Sequence, residues 1–142
     1  MKFLDILPDR EEIDVEFDAV LLAPGRYNTD GWYKDGVIAI CAWEKEMQQT
    51  YSKEYFEEHK DLFIRLGVEY ELKNDFVVCY FAEKQIKAYQ LLHVFLHELG
   101  HHHDRIHTKS KNKCARGEDY AESYAFKYEE IIWNRYFEKF LS

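Results

Sequence analysis

Residues 93–104 read HVFLHELGHHHD, and this stretch contains the pattern HExxH, which begins at His97 and Glu98 and ends at His101. Apolar side chains before and within it recur at intervals of three and four residues, the spacing of a buried helical face. These apolar positions are Ala88, Leu91, Leu92, Phe95, Leu96 and Leu99. The spacing predicts a helix over residues 83–103. Both histidines of the pattern lie on one face of it, because four residues advance a helix by slightly more than one turn.

Two imidazoles four residues apart on a helix have the spacing that a tetrahedral zinc ion requires. Glu98 lies beside such an ion without having to ligate it, so it can accept a proton from water and pass it to a leaving amine. The pattern therefore predicts one Zn²⁺ per chain, bound by His97 and His101, with Glu98 as the catalytic base of a hydrolytic reaction. His93 is expected to pack or to support a ligand, because a fourth protein ligand would close the site.

A catalytic zinc site needs a third protein ligand, and two parts of the sequence offer one. His107 follows His101 by six residues, the third-histidine spacing of HExxHxxGxxH. However, Asp104 occupies the glycine position of that pattern, and no methionine follows His101. The alternative is the segment GEDYAESYAF, in which Glu118 and Glu122 are four residues apart and so share a helical face. Either glutamate could reach the metal.

The order of the two segments, HELGHHHD and then EDYAESYAF, resembles the gluzincin type of HExxH zinc metallopeptidase. The similarity extends to minigluzincins, to the catalytic core of the anthrax lethal factor type and to the zinc peptidase domains of bacterial stress regulators. In gluzincins the first acid of an ExxA[DE] pattern binds zinc, and the acid four residues later supports a ligating histidine. The resemblance implies Glu118 as the third ligand and Glu122 as the supporting residue. It also implies a zinc metalloendopeptidase that acts on a peptide or protein substrate.

The resemblance does not place the group that stabilises the oxyanion of the tetrahedral intermediate. Tyr120, Tyr124 and His107 are the candidates. The alternative function is therefore a catalytically silent, zincin-like zinc-binding domain that acts as a regulatory or protein-interaction module. A regulatory protein partner is a possible partner besides the substrate.

Three further polar residues lie at or just beyond the end of the predicted HExxH helix. Asp104 shares the face of His97 and His101, so it is expected either to support a ligand or to lie in solvent at the end of the helix. His102 and His103 point elsewhere and are expected to face solvent.

The chain has 142 residues with 19 basic and 27 acidic side chains, a net charge of −8. Such a chain repels phosphate backbones and anionic membrane surfaces, so neither nucleic acid nor a membrane is an expected partner. The opening residues MKFLDILPDREE are too charged for a signal peptide. Three cysteines without a CxxC pair, Cys41, Cys79 and Cys114, are expected to be reduced thiols. These features predict a cytoplasmic protein.

The rest of the sequence predicts an α+β domain that occupies residues 1–142 as one unit. The expected strands are 13–22 and 37–43, with a loop at 28–31 between them, and residues 68–72 and 76–81 are expected to form a hairpin. Further helices are expected at 53–66, with Ser52 as the cap, and at 118–140. We expect a zincin-like fold, in which a small mixed sheet from the first two strands and the hairpin packs on the HExxH helix and on the C-terminal helix that carries the glutamates. One edge strand of that sheet is expected to bind the substrate.

Overall fold

A computed structural model describes residues 2–25, 29–43, 45–108 and 116–142. The α-helices are α1 (Arg10–Ile13), α2 (Lys53–Leu66), α3 (Glu83–Tyr89), α4 (Leu96–His107) and α5 (Gly117–Tyr136). The strands are β1 (Ala19–Ala23), β2 (Gly31–Lys34), β3 (Val37–Cys41), β4 (Gln48–Ser52), β5 (Glu69–Leu72) and β6 (Phe76–Tyr80). A 3-10 helix spans Leu4–Ile6, and π-helical segments span Gln90–Phe95 and Phe137–Leu141. This mixture confirms the predicted α+β class.

The chain divides into two compact units. The first unit combines Met1–Ala42 with Gln90–Ser142, and the second is Trp43–Tyr89. All of the residues singled out for zinc chemistry belong to the first unit. The interpretation of residues 1–142 as a single domain stays a prediction.

The sheet of the first unit has the order β1-β3-β2, with β1 parallel and β2 antiparallel to β3. The turn between β2 and β3 is Asp35-Gly36, and both residues have positive φ, 48° and 88°. This is the backbone of a tight two-residue hairpin, for which Asp-Gly is a preferred sequence. The predicted loop at 28–31 is therefore wrong at Gly31, which begins β2, because a hairpin turn requires a strand on both of its sides.

The first predicted strand is also too long. The expected strand at 13–22 begins only at Ala19, because Ile13 is the buried last residue of α1 and Glu16 has a positive φ of 53°. A chain that passes through the left-handed region at Glu16 cannot continue as an extended strand there. The second predicted strand, at 37–43, is confirmed as β3, although β3 ends at Cys41.

In the second unit, β4, β6 and β5 form an antiparallel sheet in that order. The hairpin of β5 and β6 confirms the prediction, as does α2. The Ser52 side chain accepts a hydrogen bond from the Tyr55 N–H at 3.1 Å, and Gly67 ends the helix with a φ of 74°. The expectation of one mixed sheet is wrong, because β6 pairs with β4 instead of with a strand of the first unit. The polar sequence QQTYS of β4 gave no strand signal.

The predicted helix over 83–103 corresponds to three elements, namely α3, the π-helical segment and α4. Its apolar stripe is largely confirmed, since Leu92, Phe95, Leu96 and Leu99 are fully buried. A π turn widens the hydrogen-bond spacing by one residue, a change that a short apolar stripe does not reveal. In α5 the buried apolar side chains are Ala121, Tyr124, Ala125, Tyr128, Ile132 and Tyr136, whereas Ile131 is 46% exposed.

Cys41 and Cys79 are buried, and neither forms a disulfide within the described residues. Cys114 lies outside the described residues. Among the helices of the described ranges, none combines the length and the low charge that crossing a bilayer requires.

Candidate metal centre

Three side chains from two helices converge at the surface of the first unit. Nε2 of His97 lies 2.8 Å from one carboxylate oxygen of Glu118, and Nε2 of His101 lies 3.1 Å from the other. The two imidazole rings are 5.0 Å apart between centroids and nearly perpendicular. One ligand atom from each of the three residues lies within 4.8 Å of the other two, so the group can hold a metal ion. Glu118 is 76% exposed, so an ion has an open path to the site.

The close crossing of α4 and α5 brings these residues together. Gly100 lies between the two histidines, and a Cβ atom there would come within 2.8 Å of Cα and 3.0 Å of the carbonyl oxygen of Ala121. Real side chains do not approach a backbone so closely, so only glycine allows this helix separation. Ala121 is fully buried and lies one residue before Glu122. The crossing thus sets the distance between the histidines and the glutamates.

Glu122 contacts the back of the His97 ring. Its Oε1 atom lies 2.5 Å from Nδ1 of His97 and 3.2 Å from Nε2 of His93. His93 is buried at the π-helical segment that precedes α4. A carboxylate can only accept, so Nδ1 of His97 carries a proton, and Nε2, which lies against Glu118, is the nitrogen left for a metal ion. Glu122 therefore contacts both His97 and His93, and the roles of Glu122 and His93 as supporting residues stay predictions.

The pKa values of the two histidines move in opposite directions. Burial lowers the pKa of His97, but the hydrogen bond that its Nδ1–H donates to Glu122 and the charges of Glu98, Glu122 and Glu118 outweigh it, so the net shift is upward. Burial also dominates at His101, where it lowers the pKa in spite of the opposing charge of Glu118. The additional carboxylate behind His97 accounts for the difference. The cluster therefore carries an excess of negative charge on the His97 side, which favours a cation.

Glu98 is buried beside the cluster and next to strand β2. Burial raises the pKa of its carboxyl to about 7, and the charges of Glu118, Asp30 and Glu122 act in the same direction against the charge of His97. A Cβ atom added to Gly31 would lie 3.6 Å from Cγ of Glu98 and 2.9 Å from Val94. The smallest residue of β2 therefore lets the strand pass close to the Glu98 side chain. A carboxyl with a pKa near neutrality is suited to accept and return a proton.

Asp104 is fully buried, so the expectation of a solvated helix end is wrong. Its Oδ2 atom accepts from the Arg116 N–H at 2.8 Å, and its Oδ1 atom accepts from the Thr108 hydroxyl at 2.9 Å. Arg116 directly precedes α5. Asp104 therefore fixes the start of α5, and with it Glu118, relative to the end of α4.

His102 and His103 do not face solvent as expected. His102 is fully buried, with Nδ1 2.9 Å from the Tyr33 hydroxyl and Nε2 2.9 Å from the Ile13 carbonyl. His103 is half-buried, with Nδ1 2.6 Å from the Tyr120 hydroxyl. The sequence-based expectation failed because other elements cover α4 at these positions, α1 and β2 at His102 and α1 and α5 at His103, and the sequence pattern gave no sign of these contacts.

The candidates for the oxyanion donor lie elsewhere among the described residues. Tyr120 contacts His103, and the hydroxyl of Tyr124 is buried without a hydrogen-bond partner in the described ranges. The His107 ring contacts the carboxylate of Glu12 through Nε2 and the carbonyl oxygen of His103 through Nδ1. The position of His107 also removes it from the group of His97, His101 and Glu118, which disfavours the third-histidine alternative.

The chain was compared with family models, with curated proteins and with solved structures. None of the three comparisons found a match. The case for a function therefore depends on the residues of the site and their geometry.

Strand β2 is the element of the site that sequence reasoning missed. Asp30 and Gly31, which lie close to Glu98, were assigned to a loop. A signal was present, because Asp35-Gly36 favours a hairpin and the residues before it, Trp32 and Tyr33, are typical of strands. Pairing back from the turn would have placed Lys34 opposite Val37 and Gly31 opposite Ile40, as the structure does.

Proposed function

We propose that the chain is a zinc-dependent metallopeptidase of the gluzincin type. The observation that carries this proposal is the convergence of the Nε2 atoms of His97 and His101 on the two oxygens of Glu118, with Glu98 beside them. Two imidazoles and one carboxylate are the donor set of a catalytic zinc site with an open position. The charge of the site also suits a cation, because two carboxylates, Glu118 and Glu122, contact opposite nitrogens of the His97 imidazole.

In this proposal His97, His101 and Glu118 would hold the zinc ion, which would polarise a carbonyl and lower the pKa of water. Glu98 accepts a proton from the attacking water and returns it to the leaving amine, a role that its raised pKa supports. Glu122 holds His97 in the tautomer that leaves Nε2 for the metal. Asp104 positions Glu118 through the Arg116 N–H. The reaction is the hydrolysis of a peptide bond.

The zincin-like architecture and the substrate strand belong to the same proposal. Strand β2 is at the edge of its sheet, because the strand order is β1-β3-β2, and its first residue lies against Glu98. An extended peptide paired with such an edge gains main-chain hydrogen bonds while its scissile carbonyl approaches the metal. We therefore assign substrate binding to β2. A peptide or protein substrate, a regulatory protein partner and a cytoplasmic location remain predictions.

The test measures zinc content and peptide-library cleavage in the same samples of the wild type, His97→Ala and Glu98→Gln. We expect Glu98→Gln to keep the zinc of the wild type and to lose about 100-fold or more of the activity. His97→Ala should contain one equivalent of zinc fewer and be inactive. Glu130→Gln, an exposed glutamate of α5, is the matched control and should behave as the wild type. Full activity in Glu98→Gln would contradict the mechanism.

A second candidate function is a zincin-like domain that binds zinc without turnover, as a regulatory or protein-interaction module. Its support is the placement of Tyr120, Tyr124 and His107 away from the cluster, which leaves the oxyanion without a donor from the set that the sequence suggested. One equivalent of zinc fewer in His97→Ala than in the wild type, with no cleavage of any peptide by any sample, would select this function.

A further inference from the structure

A second group of metal-binding side chains lies on another face of α4. It consists of Glu12 from α1 and of His103 and His107, which are four residues apart, the same spacing as His97 and His101. One ligand atom from each residue lies within 4.8 Å of the other two. At 3.6 residues per turn, the second histidine pair is rotated from the first by about 120°. The two groups therefore form two separate sites.

Both histidines present Nε2 to the carboxylate of Glu12. Nε2 of His103 lies 3.7 Å from Oε1 of Glu12, and Nε2 of His107 makes a closer contact with the same oxygen. The two rings are stacked, 4.1 Å apart between centroids. A distance of 3.7 Å is too long for a hydrogen bond, but it separates two atoms that can ligate the same ion.

The hydrogen bonds on the far side of the two imidazole rings determine which ring nitrogens are available to a metal ion. Nδ1 of His107 lies 2.8 Å from the His103 carbonyl oxygen, which can only accept, so Nδ1 of His107 carries its proton. In a neutral His107, Nε2 then has no proton, and its lone pair faces the carboxylate of Glu12. Two acceptors in contact require a cation between them, either a proton or a metal ion.

His103 has the same type of support. Its Nδ1 atom lies 2.6 Å from the Tyr120 hydroxyl, which can accept the Nδ1 proton and leave Nε2 as a lone pair. Metal-binding histidines usually donate the other ring nitrogen to an acceptor in this way. A lone proton would satisfy only the His107–Glu12 contact. A metal ion satisfies both histidines together.

We propose that Glu12, His103 and His107 form a second binding site, for a divalent transition metal such as Zn²⁺. Two imidazoles and one carboxylate favour zinc and its neighbours over Mg²⁺ or Ca²⁺, which prefer oxygen ligands. The side chains of Glu12 and His107 are 42% and 38% exposed, so the ion is accessible from solvent. The bound ion joins α1 to the last turn of α4 and so stabilises this part of the first unit.

The test counts zinc equivalents by calorimetric titration of the metal-free chain without a histidine tag. We expect two equivalents for the wild type and one for Glu12→Gln. Glu11→Gln, the exposed neighbouring glutamate, is the matched control and should keep both. In the double variant His97→Ala/His101→Ala one equivalent should remain, so this site is read whether or not the first one is catalytic.

Tyr120→Phe tests the supporting hydrogen bond. It should leave the number of equivalents at two and weaken the second by about tenfold, the usual effect of removing a partner behind a metal-binding histidine. Equal zinc equivalents in Glu12→Gln and the wild type would overturn the proposal and leave the contact as a protonated His107–Glu12 ion pair. Glu12 and His107 are at the surface, so the folding of these variants can be checked by circular dichroism.

Discussion

Glu118 and Glu122 contact opposite nitrogens of the His97 ring, and this geometry separates their roles. Glu118 also reaches His101, whereas Glu122 also reaches His93. One carboxylate therefore joins the two histidines of the HExxH pattern, and the other supports one of them from behind. The resemblance to gluzincins implied this assignment, and the order of the contacts supports it.

We predict that Glu118→Ala and Glu122→Ala differ in zinc affinity. Glu118→Ala removes a ligand and should abolish binding at micromolar zinc, whereas Glu122→Ala should weaken it by about 10- to 100-fold. The measurement is competition against a chromophoric chelator in the Glu12→Gln background, so that only this site is read. Glu130→Ala is the control, with no expected change. A larger loss in Glu122→Ala would mean that the two roles are exchanged.

His102 provides a pH-dependent contribution to stability. Burial lowers its pKa below 6.5, so the unfolded chain binds more protons at this residue than the folded chain does as the pH falls below that value. The free energy of unfolding must then decrease with decreasing pH, by at most about 1.4 kcal/mol per pH unit for one group. Above the unfolded pKa this cost vanishes.

Urea unfolding of metal-free wild type and His102→Gln at about pH 7.5 and about pH 5 measures this contribution, because the unfolded imidazole titrates between them. Glutamine can still donate to the Ile13 carbonyl. It does not titrate, so we expect a smaller loss of stability in the variant between the two pH values. An equal loss in both proteins would show that His102 is not the group responsible.

At the scale of helices and strands, the separation of α4 and α5 determines the site. The small residues Gly100 and Ala121 meet where the helices cross, and each has candidate metal-binding residues within one helical turn. The amphipathic pattern of the sequence predicted α4 and α5 and most of the apolar positions that α4 buries. They could not give the π-helical segment or the buried His102, which depend on contacts with distant parts of the sequence.

We predict that Gly100→Ala forces α4 and α5 apart. The added Cβ would lie 2.8 Å from the Cα atom of Ala121, and a backbone atom cannot turn aside as a side chain can. Overpacking of about 1–3 kcal/mol exceeds the gain of about 1 kcal/mol from replacing a helical glycine. The variant should unfold at lower denaturant concentration and bind zinc more weakly.

Ser123→Ala is the control for this experiment, because it is an exposed position of α5. It should change the free energy of unfolding by no more than about 0.5 kcal/mol. A Gly100→Ala protein with unchanged zinc affinity would show that the helix crossing does not set the ligand geometry.

At the scale of the whole molecule, every candidate metal-binding residue of the two proposed sites belongs to the first unit. The sequence predicted α2, the β5–β6 hairpin and β3 correctly because caps, turn residues and apolar runs are local signals. It did not predict that the strands form two sheets, because the choice of strand partner depends on contacts far apart in sequence. The polar β4 and the short β2 illustrate that limit.

We predict that removing metal with a chelator affects the two units differently. Metal binding stabilises the folded part of the chain that holds the metal. After metal removal, amide hydrogen exchange should therefore become faster in α4 and α5 and remain nearly unchanged in α2 and in the strands β4, β5 and β6. Mass spectrometry of peptic fragments gives this comparison directly. An equal increase in both units would indicate that the chain opens as one cooperative domain, in agreement with the single-domain prediction.

The buried carboxylate of Asp104 has a consequence for protein engineering. It binds Thr108 on one side and Arg116 on the other, so both ends of the chain between them are anchored to α4. The two hydrogen bonds differ in which substitutions they tolerate. Any residue except proline at position 116 still donates its backbone N–H, whereas position 108 needs a hydroxyl side chain to donate to Asp104. A redesigned protein that keeps both donors keeps Glu118 in register with the two HExxH histidines.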